Sequence, residues 1–438
     1  MFDLPKYGDG ICLARMAALS DALDIDRARL QRNSVVVTGS NGKGSTAAMC
    51  AAIGHAHGLH TGLFTSPHLY RFNERIKIDG IEIDDGAFAR LKRAVDAAIA
   101  DISKQRGDKF GAFEALFATA CLHFQESQCD FIVFEAGIGG RYDPVRLVGA
   151  HTTCVTSVDY EHVQLLGHSL ELIASDKSDA CAAGGTIIYG ESCRALRQHL
   201  VEFNRGPRRT SLFVRDEIAV DKEAQDASTQ AFSYRFGDHR FEQIELNLPG
   251  AFQINNAAIA ITLFLLWLQD AQPYNASGKA EAAIRTGLRD VDWPGRLEII
   301  QRDPLTVIDV GHTPDGIRQS LAGLVSTHGA GDWILVTGAS HDKKADEIVG
   351  ALAPAFGTII CTAAHHKGAD PQAIAGAAAR GNPTASIHVA ATIVDAVRRS
   401  QEMARAQNRR VYVAGGLFLA AEYATVTRGG RAEDLEFF

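Results

Sequence analysis

The hydrophobic pattern of this chain alternates between helical and strand spacing. Ile11, Leu13, Met16, Leu19 and Leu23 recur at helical intervals and predict a helix over residues 11–31. The β-branched run Ser34–Thr38 predicts a strand, Gly39 to Gly44 a glycine-rich turn, and Ser45–His57 a helix rich in Ala and Met. Gly62–Thr65, Phe131–Glu135, Thr153–Ser157 and Gly185–Tyr189 read as further strands, and Phe88–Ile102 and Phe113–Gln125 as helices. Strands separated by helices predict a parallel sheet covered on both faces.

Residues 210–247 break this rhythm. Ser211–Val214, Phe232–Phe236 and Phe241–Leu246 are short, partly alternating runs and predict a small antiparallel meander at the edge of the first domain. The most apolar window, Ala257–Leu268, is shorter than a membrane span and follows Gln253, Asn255 and Asn256, so it is expected to be a buried helix. Trp293-Pro294-Gly295 interrupts the pattern. Beyond it the alternation restarts with strands at Thr306–Asp309, Trp333–Thr337, Thr358–Cys361 and Arg410–Val413. The expectation is an α/β protein of two domains, a first over 1–296 and a second, Rossmann-like α/β domain over 297–438.

Composition narrows the function. The chain has 438 residues, 46% hydrophobic and 22% charged, with a net charge of −8. That balance argues against a broad nucleic-acid surface, which needs basic groups to neutralise phosphates, but leaves room for a local anion site. Eight cysteines at irregular spacing, without a C-x-x-C pair, argue against structural zinc and a disulfide framework. The first residues lack the basic and apolar stretches of a signal peptide, and a cytoplasmic location without membrane attachment is expected.

The sharpest local feature is Thr38-Gly39-Ser40-Asn41-Gly42-Lys43-Gly44-Ser45-Thr46. Glycines let backbone N–H groups wrap a phosphate, the helix that follows adds its dipole, and Lys43 adds a point charge. Ser45 or Thr46 is placed to reach Mg²⁺. Gly44 stands where the common G-x-x-x-x-G-K-[ST] loop carries a hydroxyl residue.

This variant loop resembles that of the Mur ligase superfamily, within it the folylpolyglutamate synthase/dihydrofolate synthase branch. Thr65-Ser66-Pro67-His68-Leu69-Tyr70-Arg71-Phe72-Asn73-Glu74-Arg75-Ile76 is similar to that branch's "TSPHL-x-R-x-NERI" segment and is far more specific than a glycine loop. Further matches follow in family order over essentially the whole chain. They are Phe113-Glu114, Glu135 to Asp143 (through Gly139-Gly140-Arg141), Glu161-His162, Lys177, Gln253 with Asn256, Trp293-Pro294-Gly295-Arg296, Asp309 to Pro314, and Gly338 with Asp342-Lys343.

The resemblance implies an ATP- and Mg²⁺-dependent ligase that joins a carboxylate to an amine, in this family L-glutamate, through an acyl phosphate. It implies Ser66, Glu135 and His162 as metal ligands and Lys43, Lys177 and His312 as catalytic groups. Gly39, Asn41, Gly42, Lys43, Gly44, Ser45, Thr46, Asn256, Arg296 and Asp309 would bind the nucleotide, with Lys343 a weaker candidate. Arg71, Arg141, Asp143 and Arg146 are candidate substrate residues. Relatives often carry a carbamylated lysine at the Lys177 position, some use a monovalent cation such as K⁺, and many are monomeric.

Several positions depart from the family pattern: Pro144-Val145-Arg146 replaces Ala-Thr-Asn, and Glu161, Phe252, Thr313 and Gly416 replace Asp, His, Asn and Ser. Three readings follow. The chain adds glutamate to dihydropteroate, to reduced folates or to both; it ligates a different carboxylate in a specialised pathway, with Arg146 pairing an extra acid on that substrate; or it is a non-catalytic nucleotide-binding module. The retained Ser66, Glu135 and His162 argue against the third.

Overall fold

The computed structural model describes residues 4–5, 8, 13–225, 229–271, 277–341 and 345–437. Cys12, Asp342 and Lys343 lie outside the described residues.

The first sheet is built from β1 (Ser34–Thr38), β2 (Thr61–Phe64), β3 (Ile76–Ile78), β4 (Ile81–Glu82), β5 (Phe131–Glu135), β6 (Thr152–Val155), β7 (Thr186–Tyr189) and β8 (Thr210–Phe213). Its order is β4-β3-β2-β5-β1-β6-β7-β8, parallel except for the β3–β4 edge. The buried strand β1 shows why a pure Val run suits the centre of such a sheet. Val35 and Val37 enter one core, packed against helices Lys43–Ala56 and Phe252–Ala271, while Val36 enters the other, packed against helices Asp85–Arg106 and Ala112–Glu126.

The chain leaves β1 to one side, to β2, and crosses back from β5 to β6 on the other. The carboxyl ends of β1 and β5 therefore flank a switch point, the place where open α/β sheets hold ligands. Val37 lies opposite Glu135 in the β1–β5 register, so the phosphate loop and the strand-end carboxylate emerge side by side.

A three-stranded antiparallel sheet follows: β9 (Ala219–Gln225), β10 (Gln230–Phe236) and β11 (His239–Leu246). Here the sequence reading needs correction. The run at Ser211–Val214 belongs to β8, paired in parallel with β7, because the helix Arg197–Arg205 makes the connection a crossover. The third meander strand is instead β9, whose polar sequence hid it. The predicted helix over 11–31 is two helices, Leu13–Ala22 and Arg27–Asn33, separated by Asp24 at φ 51° and restarted by the Asp26 side chain, which accepts from Arg29 N–H.

The helix Phe252–Ala271 is long and apolar enough to cross a membrane by composition, longer than the predicted window, but 78% of its apolar stretch is buried inside the protein. It is a core helix that shares one hydrophobic core with the meander and one face of the first sheet. All seven described cysteines are free and buried.

The second sheet contains β12 (Glu298–Arg302), β13 (Leu305–Ile308), β14 (Trp333–Thr337), β15 (Thr358–Cys361), β16 (Ser386–Val389) and β17 (Arg410–Ala414), in the order β12-β13-β17-β14-β15-β16. Its faces also carry separate cores, one around Trp333 and Leu335, the other around Ile334 and Val336. The carboxyl end of β13 delivers Asp309 and His312 toward the phosphate loop.

Candidate active site

The helix Lys43–Ala56 begins at Gly42, whose φ of 86° is left-handed backbone that glycine adopts without strain. A Cβ there would also lie 2.6 Å from the Asn256 side-chain oxygen. Asn256 donates to Gln253 at 2.9 Å, and Gln253 approaches the Ser45 hydroxyl at 3.4 Å. The polar start of the core helix therefore braces the phosphate loop from behind. Gly44 is explained by its neighbour: a Cβ there would lie 2.8 Å from the Trp293 ring.

Lys43 folds back over its own loop, donating from Nζ to the Gly39 carbonyl at 3.0 Å and the Ser40 carbonyl at 3.3 Å. These are neutral acceptors that a phosphate would outcompete. Nearby, the Ser66 backbone N–H donates to Glu135 Oε2 at 3.0 Å. Burial raises the Glu135 carboxyl to about 7, against the opposing pull of Lys43 and the Ser66 bond. A cation placed before this group would reverse that shift.

One cleft of about 470 Å³ gathers most of the expected nucleotide residues. Asn41, Gly42, Lys43, Gly44, Ser45, Ser66, Glu135 and Asn256 come from the first domain; Arg296, Asp309 and His312 come from around or beyond the boundary. Thr46 is fully buried and lines no part of it, which leaves Ser45 as the helix hydroxyl facing the cleft. Asp309 is buried; its carboxylate accepts from Leu297 N–H at 3.2 Å, Gly311 N–H at 2.8 Å and Ser320 Oγ at 2.5 Å. Burial raises its pKa, with Arg296 opposing.

Lys177 sits behind the loop, 1% exposed, with Nζ 3.0 Å from the Gly39 carbonyl and 2.6 Å from Glu161 Oε1. Burial alone would raise the Glu161 pKa, but the Lys177 and Lys43 charges win and bring it down to about 2. The longer Glu161 side chain makes this contact.

Other expected residues lie elsewhere. His162 is exposed, at φ 44°, and does not line the cleft. Among the described residues there is no cluster of three or more His, Cys, Asp or Glu side chains able to hold a metal. Arg71 has a 64% exposed side chain and faces Glu82 and Asp85 at 3.9 and 3.8 Å. Asp143 is buried and accepts from the N–H groups of Gly137, Ile138 and Val145, which fixes the loop after β5; burial holds its carboxyl up to about 6. Arg141 pairs with Asp179 at 2.7 Å. Arg146 stands on the wall of a different cavity.

The cleft also contains residues the sequence reading missed. Arg215, Glu191, Ser192 and Asn255 line one side, with Gln319 and Ser320 on the other. Only Asn255, beside the Gln253–Asn256 match, carried a sequence signal; Arg215 reaches the site because β8 joins the main sheet.

Residues 37–264 match the Mur ligase middle domain, and residues 295–417 match the glutamate ligase domain of Mur ligases. The fold and the two-domain cleft thus define a Mur ligase. The chain is 31% identical over 319 residues to the dihydrofolate synthase/folylpolyglutamate synthase of Bacillus subtilis, covering 72% of each chain. It is 30% identical over 397 residues to a probable bifunctional folylpolyglutamate synthase/dihydropteroate synthase of Haloferax volcanii, covering 89% of this chain but only 46% of that longer relative. It superposes with TM-score 0.85 and 26% identity on a folylpolyglutamate synthase of Mycobacterium tuberculosis solved with ADP and AMPPCP, covering 96% of each chain. The chain belongs to the folylpolyglutamate synthase/dihydrofolate synthase family of Mur ligases.

Proposed function

We propose that this protein uses ATP to activate a substrate carboxylate and transfers the acyl group to the amino group of L-glutamate, with dihydropteroate, reduced folates or both as the carboxylate. The observation that carries this reading is the meeting of Lys43, Ser66 and Glu135 with Arg296, Asp309 and His312 in one interdomain cleft.

In this scheme the phosphate loop holds the ATP phosphates, and Lys43 and Arg296 stabilise charge on the transferring γ-phosphoryl group. The carboxylate oxygen bonds to the γ-phosphorus as ADP leaves. The amine nitrogen then attacks the acyl carbon and inorganic phosphate leaves. Mg²⁺, when bound, would neutralise phosphate charge, held by oxygens of Ser66, Ser45 and Glu135. His162 joins that set only by an inward movement of its loop. Lys177, tethered to Gly39 and Glu161, positions the loop. Closure of the second domain shields the acyl phosphate from water.

The test is phosphate release from Mg-ATP and L-glutamate, with and without dihydropteroate or tetrahydrofolate, with mass analysis of the product. Acceptor-dependent release with one added glutamate is expected. Binding of Mg-ATP without stimulation by either acceptor would reject the folate assignment and favour a ligase for another acid.

A further inference from the structure

A second cavity, of about 420 Å³, opens at the amino ends of β6, β7 and β8, the end of the sheet opposite the nucleotide cleft, and shares no lining residue with it. Its walls are formed by the turns that precede these strands. Arg146 and Arg209 supply the charge, Phe203 and Pro207 an apolar side, and Asp179 and Ala183 complete the part that matters here.

The arginines are fixed rather than solvated. The Arg209 side chain is 5% exposed; it donates to Asp179 Oδ1 at 2.9 Å and reaches the Ala182 carbonyl at 3.4 Å. Arg141 takes the other oxygen of Asp179 at 2.7 Å. Arg146 is half-buried and donates to the Arg141 carbonyl at 2.7 Å, a neutral acceptor. Among the described residues no carboxylate lies within ion-pair distance of it.

The nearby acids, Asp179 and Asp176, do not balance three arginines. Asp176 accepts from Gly140 N–H and lies on the Arg141 side. In a chain of net charge −8, an uncompensated guanidinium on a concave wall is a place where charge complementarity is missing. Oxyanions satisfy guanidinium groups with paired, charge-assisted hydrogen bonds, and the Phe203–Pro207 side accommodates carbon next to such a group.

We propose that this cavity is a second oxyanion site, independent of the nucleotide, that takes one small carboxylate or phosphate between Arg146 and Arg209. The loop between the sites gives it a physical link to the cleft. Asp143, three residues before Arg146, holds the N–H groups of Gly137 and Ile138, just beyond Glu135.

The experiment is isothermal titration of the full chain, saturated with Mg-AMPPCP to fill the phosphate loop, with inorganic phosphate in one arm and succinate in the other. Saturable binding of one equivalent is expected in at least one arm, and the tighter arm identifies the source of the oxyanion. Arg146→Gln should weaken it roughly tenfold, the equivalent of one charge-assisted hydrogen bond. Ala183→Glu, on an exposed turn, should abolish it by placing a carboxylate at the mouth, and keeps the test available should Arg146→Gln fold poorly. Absence of saturable binding in both arms, or affinity unchanged in both variants, would overturn the proposal.

Discussion

The Thr313 hydroxyl donates to the Asn41 side-chain oxygen at 3.0 Å, tying the first turn of helix Pro314–His328 to the phosphate loop of the other domain. The same hydroxyl accepts from Gly316 N–H at 3.0 Å and so caps its own helix. One departure from the family pattern thereby becomes an interdomain contact. Thr313→Val should weaken AMPPCP binding about threefold to tenfold and lower stability by ~1 kcal/mol through the lost cap. Thr313→Ser should restore both. A double-mutant cycle with Asn41→Ala, read by calorimetry, should give a coupling of about 1 kcal/mol; zero coupling would make the contact incidental.

Lys43→Ala should reduce substrate-dependent phosphate release by roughly a thousandfold or more, since it removes the charge facing the transferring phosphoryl group. The fold should survive, because among the described residues Lys43 Nζ is hydrogen-bonded only to the loop carbonyls of Gly39 and Ser40. An unchanged melting temperature with retained full turnover would sink the active-site assignment.

Gly44→Ala tests the packing account of the variant loop. The added Cβ meets the Trp293 ring at 2.8 Å, a contact that forces the ring or the loop to shift. A loss of about 1–3 kcal/mol in urea unfolding is expected. Because the clash falls on the outer part of the indole, at Cζ2, Trp293→Phe should recover part of that loss in the double variant. Simple additivity of the two changes would show that the ring is not the obstacle.

Much of this architecture is legible in sequence for physical reasons. A Val run followed by glycines and an Ala-rich stretch has few alternatives to strand, loop and helix, and Trp333–Thr337 and Thr358–Cys361 fall where their β-branched runs predict. What failed were elements defined by partners. Thr210–Phe213 is parallel only because of the helix before it, and Ala219–Gln225 is a strand whose side chains, such as Lys222 and Glu223, are mostly exposed. In the site, Lys43 announces itself by following a glycine loop at the start of a helix, and Glu135 by ending a buried strand. Arg215, from a distant turn, does not, and the separation of Arg146 from the cleft required the tertiary course of the loop after β5.

The Glu161–Lys177 pair gives a pH dependence with a definite sign. Glu161 titrates near 2 in the fold against 4.5 ordinarily, so its contribution is present above the ordinary value and is lost as pH falls from about 4.5 toward 2. Glu161→Gln leaves the buried Lys177 ammonium facing a neutral amide, which should cost roughly 3 kcal/mol at pH 7. Against native protein, that deficit should shrink as pH drops through 4, because Glu161 then takes up a proton in the unfolded chain while the fold still holds it ionised, so the native protein loses stability that the variant never had. Glu161→Asp, the residue of the family pattern, should recover only part of the loss, since its shorter side chain must shift to span the contact. A deficit that stays constant from pH 7 to pH 3 in chemical denaturation would show that Glu161 does not hold Lys177 as a cation. That result would leave the lysine open to carbamylation, which places an anion where the ammonium now stands and requires Glu161 to turn away.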